Sequence, residues 1–175
     1  LLRPGQFVMV RIPNRSDPLL GRPFALYDSY LDNSGNVAGY DLVYLVVGKI
    51  TTHMSHLKPC DLVEIWGPLG NGFSLLPTRH LLMVAGGIGQ TPFPAVARAY
   101  LGKRQYGQSQ LDPDTRAPLA ETVGLCYGVR SAAFFAGVND FRELGVDVEL
   151  STDDGSAGHR GFVTDLVRQR LAADD

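Results

Sequence analysis

The sequence predicts a two-domain protein, in which an antiparallel β-barrel precedes an α/β domain built on a parallel sheet. Short β-prone runs separated by turn residues fill the first half of the chain, which is typical of a small antiparallel barrel. Apolar strands alternate with helical stretches in the second half, and a glycine-rich turn joins the first of those strands to its helix. The pattern changes near Pro77, so we predict domains over 1–77 and 78–175.

The first half predicts four strands and one short helix. The run 6–12 partly alternates its apolar side chains between two faces and ends at Pro13, which cannot donate to a strand ladder. The polar cluster 32–36 predicts a turn between two strands. The predicted strands are 6–12, 23–28, 40–47 and 62–66, and the predicted helix is 51–57.

The second half predicts three strands that alternate with three helices. The continuous apolar run 80–85 is typical of a strand that is buried on both faces, as in a parallel sheet. The polar segment 102–120 contains glutamine and proline and predicts a loop or an insertion. The predicted strands are 80–85, 122–128 and 146–150, and the predicted helices are 91–101, 135–144 and 163–171.

The composition excludes several classes of protein. Hydrophobic residues make up 45% and charged residues 19% of the 175 positions, which is typical of a folded chain and not of a disordered one. The formal net charge of -2 lacks the basic excess of a nucleic-acid-binding protein. No apolar stretch approaches the ~18 residues that span a bilayer, so we expect no membrane partner. Residues 1–5 do not form a signal peptide, and we expect a cytoplasmic protein.

The side chains that commonly carry metals or nucleophilic chemistry are sparse. Cys60 and Cys126 are too few for a disulfide scaffold or for a four-cysteine metal site, so we predict no metal ligands in this chain. No Ser-His-Asp or Cys-His arrangement stands out, so we predict no catalytic side chain.

The turn 86–92 is the strongest local signal. Its glycines allow the backbone to approach a diphosphate, and the helix that follows supplies unpaired N–H groups at its start. Thr91 can cap that helix, and Pro92 suits its first turn. The alternative is an ordinary strand-to-helix turn rich in glycine, and the segment alone favours neither interpretation. The residues of this candidate site are Gly86, Gly87, Gly89, Thr91 and Pro92.

Two segments of the first half have the chemistry of phosphate and ring binding. Arg22 can pair with a phosphate through two hydrogen bonds, and Phe24 offers aromatic surface to a flat ring. Gly48 follows a predicted strand, and Thr51 and Thr52 begin the predicted helix, where N–H and hydroxyl groups can hold a phosphate. Each segment in isolation favours the simpler alternative, which is a surface arginine beside core aromatics or a capped helix start.

Two further loops are candidate sites. The segment 67–73 places three glycines and a proline in a tight turn, and its alternative is a plain connector. The segment 151–165 follows a predicted strand, where ligands of open α/β sheets bind. Its alternative is a polar loop with Asx turns and a helix cap at Thr164.

Taken in chain order, six segments resemble the ferredoxin-NADP reductase superfamily, whose members join a flavin-binding antiparallel barrel to a nicotinamide-binding α/β domain. Within that superfamily the chain most resembles the electron-transfer subunits of class 1B dihydroorotate dehydrogenases, through GPLGNGF and the TDDGS and GFVTD sequences. Each segment is modest alone, and it is their order that is specific. The segments are 4–10, 21–26, 67–73, 85–92, 127–130 and 152–165.

The resemblance implies a role for each group of site residues. Arg22 would contact the FAD diphosphate, residues 23–25 would run along the isoalloxazine ring, and the turn 86–92 would bind the nicotinamide dinucleotide. The flavin-side residues are Arg22, Pro23, Phe24, Ala25, Gly48, Thr51 and Thr52, with Gly70 and Gly72 as further cofactor-binding positions. The nicotinamide-side residues are Gly86, Gly87, Gly89, Thr91, Pro92, Gly128, Arg130, Asp153, Asp154, Gly155 and Ser156.

The resemblance also implies cofactors and a partner. FAD and NAD(H) would bind to this chain, and a 2Fe-2S cluster would be held by a cysteine-rich tail of a longer chain. Electrons would pass between NAD and a dihydroorotate dehydrogenase catalytic subunit in pyrimidine biosynthesis, within a heterotetramer. Two alternatives stay open: a general NAD(P)H:acceptor flavin reductase of the same superfamily, and a flavin-free nucleotide-binding interaction module.

Three features depart from the family pattern. Ala25 stands where the flavin motif usually has serine, which removes a side-chain hydrogen bond to the ring. Ile50 stands where the phosphate loop usually has a second glycine, and a β-branched residue disfavours positive φ, so we expect that loop to differ. The cluster-binding tail, the last strands of the α/β sheet and the first strand of the barrel are missing, so we expect both ends to be truncated.

Overall fold

The computed structural model describes residues 2–14, 17, 19–107 and 117–173. Antiparallel strands form the first part of the chain and a parallel sheet forms the second, which confirms the predicted fold class. The strands are β1 (Phe7–Arg11), β2 (Arg22–Ala25), β3 (Asp28–Leu31), β4 (Val37–Asp41), β5 (Glu64–Leu69), β6 (Thr78–Gly86), β7 (Ala120–Val129), β8 (Asp147–Thr152) and β9 (His159–Arg160). The helices are α1 (Lys49–Met54), α2 (Phe93–Tyr100), α3 (Val138–Glu143) and α4 (Val163–Ala173).

The antiparallel strands form two sheets. One sheet has the order β2-β1-β5, and β3 pairs with β4 in the other. Val8 pairs with Phe24 and Val10 with Arg22 across β1 and β2. Both valines are buried, because alternate residues of a strand point to the same face. This face of β1 is the apolar side of the first part of the chain.

The predicted strand 23–28 is wrong as a single element, because the chain changes its strand partner within it. The Leu26 N–H donates to the Gln6 carbonyl oxygen at 3.0 Å, which continues the sheet of β1. The Tyr27 N–H instead donates to the Asp41 carbonyl oxygen at 2.9 Å, in the other sheet. β2 therefore ends before this point, and β3 begins after it.

The predicted strand 40–47 is wrong after its first two residues. β4 ends at Asp41, which pairs with Asp28, the first residue of β3. Residues 42–47 pair with no strand in the described part of the chain, and β-prone side chains need a pleated neighbour to pack against. The segment forms a connection in which the Tyr44 ring meets the Phe24 ring edge-on, with 5.8 Å between ring centroids.

Smaller differences concern where elements begin. α1 begins two residues before the predicted helix 51–57, and β5 begins two residues after the predicted strand 62–66, in register with β1. Short 3-10 turns lie just before the predicted helices 91–101 and 135–144, and α2 and α3 begin two and three residues later than expected. β9 lies in a segment that the sequence analysis assigned to a loop.

The parallel sheet has the order β6-β7-β8-β9. Parallel strands joined through crossover connections end at the same edge of their sheet, so the loops after β6, β7 and β8 are neighbours. Residues 108–116 of the predicted loop 102–120 lie outside the described residues. Tyr106, before that gap, is buried.

A buried apolar cluster joins the two parts of the chain. Val8, Val10 and Leu26 from the antiparallel part pack with Ala95 and Ala99 of α2. Because α2 directly follows the glycine-rich turn, this packing places that turn relative to β1 and β2. The domain boundary at 77/78 stays a prediction. Among the helices of the described part, the longest has 11 residues, and none combines the length and apolar character needed to cross a bilayer.

Candidate functional site

A cavity of about 500 Å³ opens between β2 and the start of α1. Five residues predicted on the flavin side line it: Arg22, Pro23, Phe24, Gly48 and Thr51. The structure adds four residues to this lining that were not predicted as site residues: Asp17, Val47, Lys49 and Ile50. Ala25 and Thr52 are not among the lining residues.

The charged side chains of this cavity favour an anionic ligand. The Arg22 Nη1 atom lies 3.3 Å from the Leu20 carbonyl oxygen and 3.4 Å from that of Gly21, and hydrogen bonds of this length are weak. Lys49 Nζ lies 2.5 Å from Asp17 Oδ2, with both side chains largely exposed. Two cations and one carboxylate thus line the cavity, which gives it a net positive charge. Asp17 lies far from Lys49 in sequence, so no local motif predicts this pair.

Thr51 holds the loop at the start of α1. Its hydroxyl oxygen accepts hydrogen bonds from the Val47 and Gly48 N–H groups, both at 3.0 Å, and the hydroxyl donates to the Gly48 carbonyl oxygen at 2.9 Å. A hydroxyl has one donor and two acceptor positions, so these bonds use its full capacity. The Thr51 hydroxyl therefore shapes the loop and has no free hydrogen to offer a phosphate.

Ile50 is buried at 6% exposure in the first turn of α1. Within the described residues, the non-glycine residues with positive φ are Asn14 and Cys60, so Ile50 does not adopt the conformation expected of a second loop glycine. In place of a glycine-rich loop, the chain forms a helical turn here, and this turn buries the Ile50 side chain.

β2 presents its residues to two different sides. Phe24 packs against the buried cluster of Val8, Val10 and Leu26 and contacts the Tyr44 ring. Successive strand residues point to opposite faces, so Pro23 and Ala25 face away from that core. Their face is the one on which a flat ring could lie along β2.

Three strand ends meet at the carboxyl edge of the parallel sheet. Gly86 pairs with Gly128, and Gly128 pairs with Ser151, so these residues form one row across β6, β7 and β8. Gly87 and Gly89 follow in the 3-10 turn Gly87–Gln90. This edge is where ligands of open α/β sheets bind.

The glycines of this edge divide into two kinds. A Cβ built on Gly86, Gly87 or Gly89 would meet no atom within 4 Å, and the same holds for Gly48 in the cavity. A Cβ on Gly128 would instead stand 2.8 Å from both the Ser151 hydroxyl oxygen and a Val163 carbon. The first kind faces open space that a ligand can enter, whereas internal packing explains glycine at Gly128.

The predicted cap at Thr91 is wrong. Thr91 has helical φ and ψ of -53° and -37°, and an N-cap residue needs extended backbone. The 3-10 turn runs into α2 without an extended residue, and Pro92 occupies the N-cap position without a side-chain hydrogen bond. Gln90 before it is fully buried, and its carboxamide atoms make no hydrogen bond in the described structure.

The loop 153–156 is bound to the segment that follows β7. The Asp153 N–H donates to the Val129 carbonyl oxygen at 3.1 Å, and the Asp154 N–H donates to that of Arg130 at 3.3 Å. The Ser156 hydroxyl oxygen accepts from the Ala132 N–H at 2.8 Å. Hydrogen bonds from Ser156 hold the pKa of the Asp154 carboxyl below its ordinary value. The nicotinamide-side residues predicted after β7 and β8 therefore lie together.

Four predicted glycines have a conformational explanation, and Gly87 is one of them although it also faces open space. Gly70, Gly72, Gly87 and Gly155 have φ values of +85°, +72°, +55° and +76°, which disfavour any residue with a Cβ. The Gly70 carbonyl oxygen accepts from Gln6 Nε2 at 2.9 Å, so the turn 67–73 also binds the N-terminal segment. Gly70 and Gly72 do not line the cavity, and their roles in cofactor binding stay predictions.

Metal-ligating side chains do not cluster in the part of the chain that the structure describes. No group of three or more His, Cys, Asp or Glu side chains there could hold a metal ion. Cys60 is exposed and Cys126 is buried, and both are free thiols. Burial raises the pKa of the Cys126 thiol.

Comparison with known proteins confirms the resemblance inferred from the motifs. The chain is 33% identical over 98% of its length to the dihydroorotate dehydrogenase B (NAD(+)) electron transfer subunit of Geobacillus sp. (strain WCH70). It is 35% identical over 95% of its length to the probable electron transfer subunit of the same enzyme from Pyrococcus abyssi. It covers 60% and 54% of those two proteins, so it spans little more than half the length of these curated relatives. No protein-family model matches the chain.

Solved structures agree on the fold. An NADH-dependent reduced ferredoxin-NADP oxidoreductase, described in a study of flavin-based electron bifurcation, superposes with a TM-score of 0.72 at 26% identity. That match covers 97% of this chain and 53% of the other. Ferredoxin-NADP+ reductase from Plasmodium falciparum superposes with a TM-score of 0.66 at 15% identity, over 99% of this chain and 67% of the other. The chain therefore has the fold of ferredoxin-NADP reductase-like flavoprotein reductases.

Proposed function

We propose that this chain is the flavin- and nicotinamide-binding part of an electron transfer subunit, which moves electrons between NAD(H) and a dihydroorotate dehydrogenase catalytic subunit. One observation carries the proposal: Gly48, Gly86, Gly87 and Gly89 face open space at the two places where the motifs predict nucleotide phosphates. The similarity to electron transfer subunits along almost the whole chain supports the same function.

The cavity beside β2 fits the FAD diphosphate. Arg22 supplies a guanidinium that can bind phosphate oxygens in pairs, and Lys49 adds a second positive charge. The open space above Gly48 lets a phosphate approach the backbone at the start of α1. Pro23 and Ala25 offer the face of β2 to the ring. Ala25 cannot donate a side-chain hydrogen bond to it, so the backbone and packing would orient the flavin there.

The carboxyl edge of the parallel sheet fits a nicotinamide dinucleotide. Gly86, Gly87 and Gly89 allow its diphosphate to approach the backbone closely. Arg130 is exposed next to the loop 153–156, and it can bind the nucleotide from the neighbouring strand end. These residues bind and orient, and no protein nucleophile is needed. Bound FAD supplies hydride acceptance from NADH and single-electron release, which side chains cannot provide.

We further propose the partner from the relatives' names, and the pathway, assembly and location from the motif resemblance. The catalytic subunit would oxidise dihydroorotate in pyrimidine biosynthesis. Both kinds of subunit would form a heterotetramer in the cytoplasm. A 2Fe-2S cluster between flavin and catalytic subunit would need cysteines other than Cys60 and Cys126. These two are too few for such a cluster, and one is exposed while the other is buried.

Visible absorption of the purified full-length gene product tests the proposal. We expect a yellow protein that binds FAD and bleaches on anaerobic addition of NADH. Co-expression with a dihydroorotate dehydrogenase catalytic subunit should yield a stable complex that reduces NAD with dihydroorotate. Bleaching by NADH without any such complex would favour a general NAD(P)H:acceptor flavin reductase. A colourless protein that does not respond to FAD and NADH would contradict both and favour a flavin-free nucleotide-binding module.

A further inference from the structure

A buried charge cluster lies between the two parts of the chain. Tyr27 lies between β2 and β3, and Asp28 and Ser29 are the first two residues of β3; we refer to these three residues as the docking segment. We propose that Asp28 is a positioning residue, which acts through Arg98 and Arg104 to set the placement of the flavin site relative to the nicotinamide site. This inference rests on the proposed function and goes beyond it, because Asp28 lies outside both candidate sites.

The Asp28 carboxylate is contacted by three side chains from the second part of the chain. Arg104 Nη1 donates to Oδ1 at 3.0 Å, and the Tyr106 hydroxyl donates to the same oxygen at 2.8 Å. Arg98 Nη1 lies 2.9 Å from Oδ2 as an ion pair, although its N–H groups are not aligned for a hydrogen bond. Asp28 thus connects the first part of the chain to α2 and to the segment after it.

The charged side chains of this cluster are largely shielded from solvent. The side chains of Asp28, Arg98 and Arg104 are 10%, 25% and 23% exposed. Removing one partner from a buried ion pair leaves an uncompensated charge, so losing either side of this cluster is costly. Arg104 also donates to the Ser29 carbonyl oxygen and, at 3.0 Å, to its hydroxyl oxygen. Burial, with the charge of Asp28, raises the pKa of Tyr106, which therefore stays a neutral hydrogen-bond donor.

Tyr27 extends the contact to a third element. Its hydroxyl donates a hydrogen bond to Asp140 on α3. Gly137, just before α3, has no Cβ, and a Cβ there would collide with the Tyr27 hydroxyl oxygen. Burial and Asp140 together raise the pKa of Tyr27, so this phenol also stays a donor. The docking segment therefore binds α2, the chain after α2 and α3.

The cluster lies close to both candidate sites along the chain. Asp28 follows Ala25 by three residues, which span at most ~10 Å of extended chain. Arg98 follows Pro92 by six residues, a rise of ~9 Å along a helix. A displacement at the cluster is therefore transmitted over short segments to the face of β2 and to the turn 86–92. Reaction between two bound groups needs near-contact distances, and a misplacement of about 1 Å can cost on the order of 100-fold in rate.

Two substitutions separate positioning from binding. Asp28→Asn removes the shared carboxylate charge. Arg98→Gln removes one cation and keeps the Arg104–Asp28 pair, so we expect it to be the less destabilising of the two. Glu143→Gln, at the exposed end of α3, is the matched control. All are made in the full-length gene product. We expect unchanged FAD content and an unchanged half-saturating NADH concentration, with flavin reduction at saturating NADH slowed about 10- to 100-fold.

Hydrogen–deuterium exchange gives a readout that does not depend on activity. In flavin-free protein, Asp28→Asn and Arg98→Gln, which we call the docking variants, should both exchange faster in peptides covering 26–31 and 95–107, and the control should match wild type. In loaded protein, the long-wavelength absorbance of stacked flavin and nicotinamide should weaken in the docking variants alone.

Several results would overturn the inference. Folded docking variants that are reduced at the wild-type rate would do so, because positioning would then not depend on the cluster. Variants that lose FAD itself would also do so, because the cluster would then support binding. A wild-type protein that takes up no flavin overturns the proposed function together with this inference, so the two failures are distinguishable.

Discussion

Gly128 lies beside Ser151 in the pairing of β7 and β8, and a Cβ on Gly128 would stand 2.8 Å from the Ser151 hydroxyl oxygen. The same Cβ would stand 2.8 Å from a carbon of Val163 at the start of α4. Gly86, the partner of Gly128 on β6, has open space in the corresponding direction. Two paired glycines therefore have different reasons to be glycine, and substitution tests them separately.

Gly128→Ala should destabilise the fold. The added methyl group has to displace Ser151 or α4 in a packed interior, which typically costs about 1–3 kcal/mol. Urea unfolding monitored by circular dichroism measures this loss. An unchanged free energy of unfolding would show that α4 shifts freely and that packing does not explain this glycine.

Gly86→Ala should leave stability near the wild-type value and weaken nucleotide binding. Its φ of -110° suits any residue, and its Cβ would enter space that we assign to the nicotinamide dinucleotide. We expect the dissociation constant for NADH to rise about tenfold, which corresponds to roughly 1.4 kcal/mol. Titration of the protein with NADH measures it, with Gly128→Ala as the comparison. Equal NADH affinity in Gly86→Ala and wild type would contradict the assignment of this edge.

Ile50→Gly should destabilise the protein and should not improve flavin binding. Ile50 is buried in the first turn of α1, and its removal leaves a cavity and adds a flexible residue to a helix. Together these effects cost about 2–5 kcal/mol. Thermal unfolding with and without FAD measures both. Tighter FAD binding by a stable Ile50→Gly protein would restore the glycine-loop interpretation of this segment.

Substitutions of the cavity charges should shift FAD affinity in opposite directions. Arg22→Gln should raise the dissociation constant for FAD about 10- to 100-fold, since hydrogen bonds to charged groups contribute ~1.5–3 kcal/mol. Asp17→Asn should lower it a few-fold, because it releases Lys49 from an ion pair at the cavity. Fluorescence titration of apoprotein with FAD gives both values. Weaker binding in Asp17→Asn would place Asp17, and not Lys49, on the ligand.

Stability should fall at alkaline pH through Tyr27 and Tyr106. Both phenols have pKa values raised above the ordinary value by burial and by neighbouring carboxylates, Asp140 and Asp28. A phenol whose pKa is higher in the folded than in the unfolded protein gives its full contribution to stability below the unfolded pKa of about 10. That contribution is lost as the pH rises from this value towards the folded pKa. Urea unfolding between pH 8 and 11 should therefore show a decline that is shallower in Tyr106→Phe and Tyr27→Phe. Parallel curves for all three proteins would contradict this cause.

How far the sequence predicts the site depends on whether the signal is local. The turn 86–92 could be recognised because a buried strand, glycines and a helix follow one another directly in sequence. The Lys49–Asp17 pair and the contacts of Asp28 carry no such signal, and Arg104 reaches Asp28 across 76 positions. Tyr106 and Arg104 lie in a segment whose polar composition predicts a loop, although the structure buries Tyr106.

Local pattern by itself determined the fold class, most of the strands and helices, and the segments that we propose bind nucleotides. Periodicity and the backbone preferences of glycine and proline act over a few residues, so they can be read without a partner. Only the tertiary structure decided where the chain leaves one sheet for the other between Leu26 and Tyr27, which glycines face open space, and that Asp28 joins the two parts. Those outcomes depend on residues distant in sequence, because strand pairing, packing and buried charges are satisfied only by neighbours in space.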